Sequence, residues 1–182
     1  MKRIFTLSAI ILICHTIQAQ KYVTKNGHIK FFSETPVESI EAHNNQVNSA
    51  LDISNGNFIF KVLIKSFEFK KALMQEHFNE NYMESDKIPN AMFSGKIENM
   101  SSINFNADGV YDVQVKGKLT IHGVTKEIEN SGSFEIKGEK IIAKSIFHVK
   151  PSDYDIKIAK AVEDQIAKSI EVTVDITLDK MQ

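Results

Sequence analysis

The sequence predicts an all-β protein built from long, mostly antiparallel strands. Apolar and polar residues alternate with a period of two over several long runs, as they do in a strand with one buried and one solvated face. Dipeptides suited to hairpin turns separate several of these runs. Helical periodicity is confined to two short segments, so most of the chain is expected to form strands.

The run from residue 110 to residue 128 shows the alternation over the greatest length. The apolar residues that share its inward parity are Val113, Val115, Leu119 and Ile121. His122-Gly123 predicts a tight reversal with His122 on the solvated side, because Gly tolerates the positive φ of two-residue hairpin turns. Gly117 lies on the inward parity, where a missing side chain indicates either a bend of the strand or space for something else.

Other runs have the same character and give eight or so strands in one domain. The C-terminal run places Ile170, Val172, Val174 and Ile176 on one face. A denser run places Phe58, Phe60, Val62 and Ile64 on one face. Residues 141–149 form a similar run, and shorter candidates cover residues 28–34, 46–54, 91–98 and 124–136. The predicted hairpin turns are Asn55-Gly56, Asp108-Gly109 and Gly138-Glu139.

Two segments interrupt the strand pattern. Residues 71–83 place Leu73, Met74, His77 and Phe78 at helical spacing, and Pro89 ends the loop that follows. Residues 155–170 are ambiguous. Ile158, Val162 and Ile166 fit a short amphipathic helix, but Ile156 and Ile158 also alternate as in a strand.

Residues 1–19 resemble a cleaved targeting segment. A short positive region is followed by an apolar stretch of about ten residues and a small residue, Ala19, before the expected cleavage point. We interpret Cys14 as an apolar residue of this segment and not as a lipid attachment site. The expectation is a periplasmic or secreted protein without a stable membrane anchor, with residues 20–182 as its one domain.

Loss of residues 1–19 also excludes several classes of function. The formal net charge changes from −1 to −3 because Lys2 and Arg3 leave, and the single cysteine leaves with them. A mildly acidic chain with scattered lysines does not predict nucleic-acid binding. The remaining histidines are dispersed, and the chain has neither a Gly-x-Ser-x-Gly elbow nor a phosphate-binding glycine loop. We therefore expect no enzyme activity, no metal and no cofactor.

The residues alone do not choose between a sandwich and a barrel. Long antiparallel strands with one apolar face form either architecture. A barrel of about eight strands has an interior that is filled by side chains or holds one small ligand.

A resemblance to a known family resolves these alternatives. The segment LTIHGVTKEI (residues 119–128) resembles the signature segment of the YceI-like family of secreted, lipocalin-like proteins, and residues 74–97 and 151–178 are similar to two further segments of it. The resemblance implies an extended eight-stranded antiparallel lipocalin-like barrel with one or two short helices. It also implies a polyisoprenoid or similar amphiphilic lipid in an apolar tunnel, with no catalytic activity and no metal. Asp155 departs from the pattern where a Gly is frequent, and Glu127 where a Pro is frequent.

The resulting hypothesis is an exported carrier or storage protein that binds a long isoprenoid or other amphiphilic lipid non-covalently. The predicted ligand-binding residues are Phe58, Phe60, Val62, Ile64, Met74, His77, Phe78, Phe93, Val113, Val115, Gly117, Leu119, Ile121, Tyr154, Ile170, Val172, Val174 and Ile176. The alternative is an envelope protein-interaction module whose barrel is filled by side chains and binds no lipid. A small hydrolase or isomerase is a third and weaker hypothesis. Exposed strand edges also allow a homodimer.

Overall fold

Strands make up most of the described chain. The computed structural model describes residues 20–181, so the predicted targeting segment and Gln182 lie outside the described residues. One short α-helix, α1, covers Ala72–His77. The strands are β1 (Lys21–Glu34), β2 (Ser39–Asp52), β3 (Asn57–Leu63), β4 (Glu68–Phe69), β5 (Asn90–Ile97), β6 (Gly109–Ile121), β7 (Val124–Lys137), β8 (Lys140–Val149) and β9 (Ile170–Lys180).

The strands close into an antiparallel barrel. Their order is β1-β9-β8-β7-β6-β5-β3-β2, and β1 also pairs with β2, which joins the two ends of the sheet. The short strand β4 is an addition that pairs with β2 at Ala42 and Phe69. This confirms the predicted eight-stranded barrel and rejects the sandwich.

Alternation along each strand decides which side chains form the core. On β6, Val113 is 2% exposed and faces inward, whereas Val110, on the opposite parity, is 70% exposed. Full burial of a Val, Leu, Ile or Phe side chain contributes about 1.5–3 kcal/mol. The inward parity of the long strands therefore supplies the main stabilisation of a barrel that contains no disulfide in its described part.

The strands near the N-terminus are longer than predicted. β1 begins at Lys21 and not at His28, and its ladder with β2 continues through irregularities on both sides of Gly27. β2 begins at Ser39, well before the predicted start at residue 46. Few buried positions in these extensions carry a large aliphatic side chain, since β2 places small Ala42 and polar Asn44 on its buried face. Pairing between the strands holds the extensions extended.

Three of the predicted hairpin turns join neighbouring strands directly. Asn55 and Gly56, with a Gly56 φ of 75°, lie in the loop that connects β2 to β3. His122 and Gly123 have φ values of 50° and 77° and connect β6 to β7. Gly138, with a φ of 56°, connects β7 to β8. The hairpin predicted at Asp108-Gly109 is wrong, because a loop with a 3₁₀ turn at Met100–Ser102 joins β5 to β6. Asp108 instead accepts a hydrogen bond from the Gly138 amide at 2.8 Å.

The two interruptions of the strand pattern have different outcomes. α1 occupies the first predicted helical segment and continues into a wider π-type turn at Phe78–Tyr82. The sequence of segment 155–170 is compatible with an amphipathic helix or a strand, and the structure has a 3₁₀ helix there at Lys160–Gln165. Another 3₁₀ turn, Pro151–Tyr154, directly follows β8. This second turn lies at the same end of the barrel as α1.

The ladder between β7 and β8 ends before the strands do. The β7–β8 ladder runs from Lys137 and Lys140 to its last pair, Gly132 and Ser145. Beyond that pair, β7 pairs only with β6, and β8 pairs only with β9. We call the region between residues 124–131 of β7 and residues 146–149 of β8 the β7–β8 split.

Candidate functional site

The barrel encloses a cavity that borders the β7–β8 split. Its volume is about 110 Å³. The residues that line it are Ile29, Phe58, Phe60, Val62, Ala91, Met92, Phe93, Val113, Val115, Leu119, Ile128, Asn130, Ser131, Gly132, Ser133, Phe134, Ala143, Lys144, Ser145, Phe147 and Val174. Aromatic and branched aliphatic side chains dominate this lining, so the cavity suits an apolar group.

Part of the predicted ligand-binding set surrounds this cavity. The members in the lining are Phe58, Phe60, Val62, Phe93, Val113, Val115, Leu119 and Val174. Sequence parity correctly grouped residues from β3, β6 and β9 on one inward surface. Contact of these residues with a ligand stays a prediction.

Other members of the set lie elsewhere. Ile64 and Ile176 are almost fully buried in the core away from the cavity. Phe78 packs against Phe31, Phe67 and Phe69 at the α1 end of the barrel. Met74 lines a separate outer hollow beside β2, and His77 is exposed. Those that are part-buried outside the cavity lining are Ile121, Ile170 and Val172.

Gly117 serves a close approach between two strands. It pairs with Gly95 across β5 and β6. A Cβ built on Gly117 would lie within 2.5 Å of the Ser94 carbonyl oxygen, and one built on Gly95 would lie 2.6 Å from the Phe93 ring. The room left by the two glycines is occupied by backbone and by Phe93, and Gly117 is outside the cavity lining.

Tyr154 is held at the α1 end of the split. It is 4% exposed and belongs to an apolar cluster with Phe93 and Leu119. Val124 and Ile128 of β7 and Phe147 and Val149 of β8 pack on this cluster, so it joins the two strands that the ladder leaves apart. Burial, followed by nearby Asp153, raises the pKa of the Tyr154 hydroxyl.

The His122 ring connects its own turn to the loops that contain Tyr154 and Glu84. Its Nδ1 lies 3.2 Å from the Tyr154 carbonyl oxygen, and its Nε2 lies 3.4 Å from a Glu84 carboxylate oxygen. The side chain is 13% exposed, so the expected position on the solvated side is wrong. The turn conformation points the ring back onto the neighbouring loops. The salt bridge with Lys87, and then the hydrogen bond to His122, lower the pKa of Glu84.

Backbone strain is concentrated at the same contacts. Within residues 20–181, the non-glycine residues with positive φ are Glu84, His122 and Asp155, at 43°, 50° and 54°. A left-handed conformation costs a non-glycine residue about 1–2 kcal/mol. Asp155 therefore occupies a backbone position that favours glycine, as the departure from the family pattern suggested.

Two polar cavity residues were missed by the sequence interpretation. Asn130 pairs with inward-facing Val115, and Ser145 pairs with inward-facing Val174, so both side chains face the barrel interior. The Asn130 Nδ2 donates to the Ser145 Oγ at 2.8 Å, and this hydroxyl donates to the Ser131 carbonyl at 2.7 Å. The available signal was the parity of Asn130 with Ile128 and Phe134, once the turn at residues 122–123 fixed the register.

A histidine pair lies on the outer surface of β1 and β2. His28 and His43 are distant in sequence, but their rings stack and bring Nε2 and Nδ1 to 3.0 Å. His43 also hydrogen-bonds to Glu41 at 3.0 Å. Burial, followed by the charges of His43 and Lys30, lowers the pKa of His28, against an opposing effect of Asp175. Among residues 20–181, no group of three or more His, Cys, Asp or Glu side chains is arranged to hold a metal ion.

The fold and the cavity together define a class of protein, the small antiparallel barrel with an apolar interior space. The chain belongs to the YceI-like family, whose domain model matches residues 18–178. No curated protein matches the chain with significance.

Solved structures share this fold at low sequence identity. A polyisoprenoid-binding domain from Saccharophagus degradans, implicated in plant cell wall breakdown, has a TM-score of 0.78 and 11% identity, over 90% of this chain and 100% of that one. BcnA of Burkholderia cenocepacia has a TM-score of 0.65 and 12% identity, over 83% and 95%. The Campylobacter jejuni YCEI protein has a TM-score of 0.58 and 13% identity, over 100% and 99%.

The helices found between residues 20 and 181 all fall short of the length and apolar character that a bilayer crossing requires.

Proposed function

We propose that this protein is an exported carrier or storage protein that binds the apolar tail of an isoprenoid or other amphiphilic lipid inside its barrel. The observation that carries the proposal is the apolar cavity lined by residues such as Phe60, Val115 and Leu119. Membership of the YceI-like family and the fold shared with a polyisoprenoid-binding domain support it.

The size of the cavity sets how much of a lipid it takes. A space of about 110 Å³ holds about four or five carbon atoms of a tail, since an apolar cavity of roughly 150 Å³ takes one benzene. Four or five buried methylenes contribute about 3–4 kcal/mol before the entropic costs of binding. A longer tail extends beyond the cavity or displaces side chains of its wall.

Binding and not catalysis is the activity proposed. The polar groups at the cavity are the amide of Asn130 and the hydroxyl of Ser145, which hydrogen-bond to each other. This pair supplies neither an activated nucleophile nor a general base of suitable pKa. The proposed export rests on the targeting segment that residues 1–19 resemble. Export fits the proposed lipid binding, because a lipid that crosses an aqueous compartment needs a carrier.

Organic extraction of the protein purified from its natural host, followed by mass spectrometry, tests the proposal. We expect a prenyl or acyl species in a stoichiometric amount. Protein that is repeatedly empty, and that fails to bind such lipids when they are added, would reject the carrier and favour the protein-interaction module with a filled barrel.

A pair of tryptophan variants tests the location of the ligand. Val115→Trp fills the cavity, whereas Val110→Trp adds the same side chain to the exposed face of the same strand. We expect Val115→Trp to fold and to lose lipid, and Val110→Trp to keep it. If Val115→Trp retains lipid, or destabilises the protein by the roughly 1–3 kcal/mol typical of an overpacked core, the cavity is not the binding site.

A further inference from the structure

The cavity lining is apolar except at one place. Asn130 and Ser145 are the polar side chains that the strand parity turns into the cavity, and they lie on opposite sides of the β7–β8 split. Ser131, Ser133 and Lys144 are on the outward parity of the same strands. The interior therefore has a polar end beside the last pair of the β7–β8 ladder.

The hydrogen bonds of this pair fix which atoms remain available. The Ser131 carbonyl only accepts, so the Ser145 hydroxyl must donate to it at 2.7 Å. Ser145 must then accept from Asn130, which assigns Nδ2 to the 2.8 Å contact and orients the amide. One Nδ2 hydrogen and the Oδ1 acceptor of Asn130 have no other partner among the hydrogen bonds of the described residues. Asn130 is half-buried and its Oδ1 keeps some accessible surface, so these groups are available to the polar end of a ligand.

The charge at this polar end disfavours an anionic group. The cationic residue in the lining is Lys144, and its ammonium is ion-paired with Asp175 at 3.5 Å. A diphosphate or carboxylate would find no free cation among the lining side chains to replace its hydration. A neutral group that both donates and accepts matches the available amide atoms.

We propose that Asn130, oriented by Ser145, binds a neutral hydrogen-bonding head group, such as an alcohol or a primary amide, of an amphiphile whose tail fills the cavity. This inference rests on the proposed function and deepens it. The head group lies at the β7–β8 split, beside the last pair of the ladder, and the tail points toward Phe60 and Leu119.

Three probes with one tail test this assignment. Farnesol, farnesene and farnesyl diphosphate displace a fluorescent prenyl probe from the purified protein. We expect farnesol to bind about three- to tenfold more tightly than farnesene, the value of one net hydrogen bond, and farnesyl diphosphate to bind more weakly than farnesol. The Asn130→Leu variant removes the preference for farnesol and keeps the affinity for farnesene.

Two further variants complete the experiment. Thr125→Val removes an exposed hydroxyl on the outward parity of the same strand, outside the cavity lining, and leaves the preference intact. Ser145→Ala keeps Asn130 but removes its orienting partner, and it reduces the preference even if Asn130→Leu does not fold. Equal affinity of the wild type for farnesol and farnesene overturns this inference and leaves the carrier standing. If none of the three ligands binds, the proposed carrier function is rejected, and the proposed head-group site is rejected as well.

Discussion

The two edges of β7 differ in how they are bound. Toward β6, the ladder is continuous from Gly109 and Ile136 to the turn at residues 122–123. Toward β8, it stops at Gly132 and Ser145, and side chains replace backbone pairs beyond that point. The same strand is thus fully paired on one side and bridged by side chains on the other. The interior cavity borders the side whose ladder ends early.

The apex of the split is expected to be the most sensitive position. A Cβ on Gly132 would lie 2.5 Å from the Lys144 carbonyl oxygen. Gly132→Ala should therefore push β7 and β8 apart, lengthen the split and destabilise the protein by about 2–3 kcal/mol in urea denaturation. Gly109→Ala is the matched control, because its Cβ would meet the Tyr111 side chain at 3.3 Å. Equal losses in the two variants would contradict the role of Gly132.

Removal of the hydroxyl that bridges the split has the next largest effect. Ser145→Ala leaves the Ser131 carbonyl and one Asn130 donor without their partner. We expect a loss of about 1–2 kcal/mol in the free energy of unfolding, the net contribution of two hydrogen bonds. Ser131→Ala, whose exposed hydroxyl bonds to Gln114, should change stability by less than about 0.5 kcal/mol. A neutral Ser145→Ala would mean that water replaces the bridge.

Relief of strain beside the split should stabilise the protein. Asp155 has a φ of 54° next to Tyr154, and glycine adopts this conformation without a steric cost. Asp155→Gly is expected to raise the free energy of unfolding by up to about 1 kcal/mol, measured by thermal and urea denaturation. Asp153→Gly makes the same chemical change in the adjacent 3₁₀ turn and should not stabilise. Stabilisation by both variants would refute the strain argument.

The smallest expected effect lies on β1, away from the β7–β8 split. The folded pKa of His28 is below its unfolded value of 6.5, so the unfolded chain binds a proton more readily as the pH falls. Stability should therefore decrease as the pH drops through about 6.5 and level off below the folded pKa. His28→Gln should reduce this loss by well under about 1 kcal/mol, measured from urea midpoints at two pH values. His148 is exposed, and His148→Gln should leave the loss of stability at low pH unchanged.

The barrel was predictable because its signals are local. Alternation on β6 and β9 and the turn at residues 122–123 identify strands without knowledge of their partners. The start of β2 was missed, because its buried positions include small Ala42 and polar Asn44 and its extended conformation depends on pairing with β1. The predicted turn at Asp108-Gly109 failed because a dipeptide does not show where the ladder between its flanking strands ends, which here is at Ile97 and Val115.

The site was predictable only in part, since a cavity depends on the register of several strands. Parity grouped Phe58 and Val115 on the inward face, but it does not separate residues that border a space from those that pack together, such as Ile64 and Ile176. The missing side chain of Gly117 suggested space in the barrel interior, but Gly117 pairs with Gly95 in a close approach of two strands. The pairing of Asn130 with Ser145 required the register of β7 and the point at which its ladder with β8 ends.

The end of that ladder also bears on association between copies of the chain. An unpaired strand edge is a template onto which another chain adds a strand, and such growth leads to aggregation. The free stretch of β7 carries Lys126, Glu127 and Glu129, all exposed to solvent. A second strand docked there would have to accommodate these charges beside its own backbone. These exposed charges thus protect the β7–β8 split against strand addition.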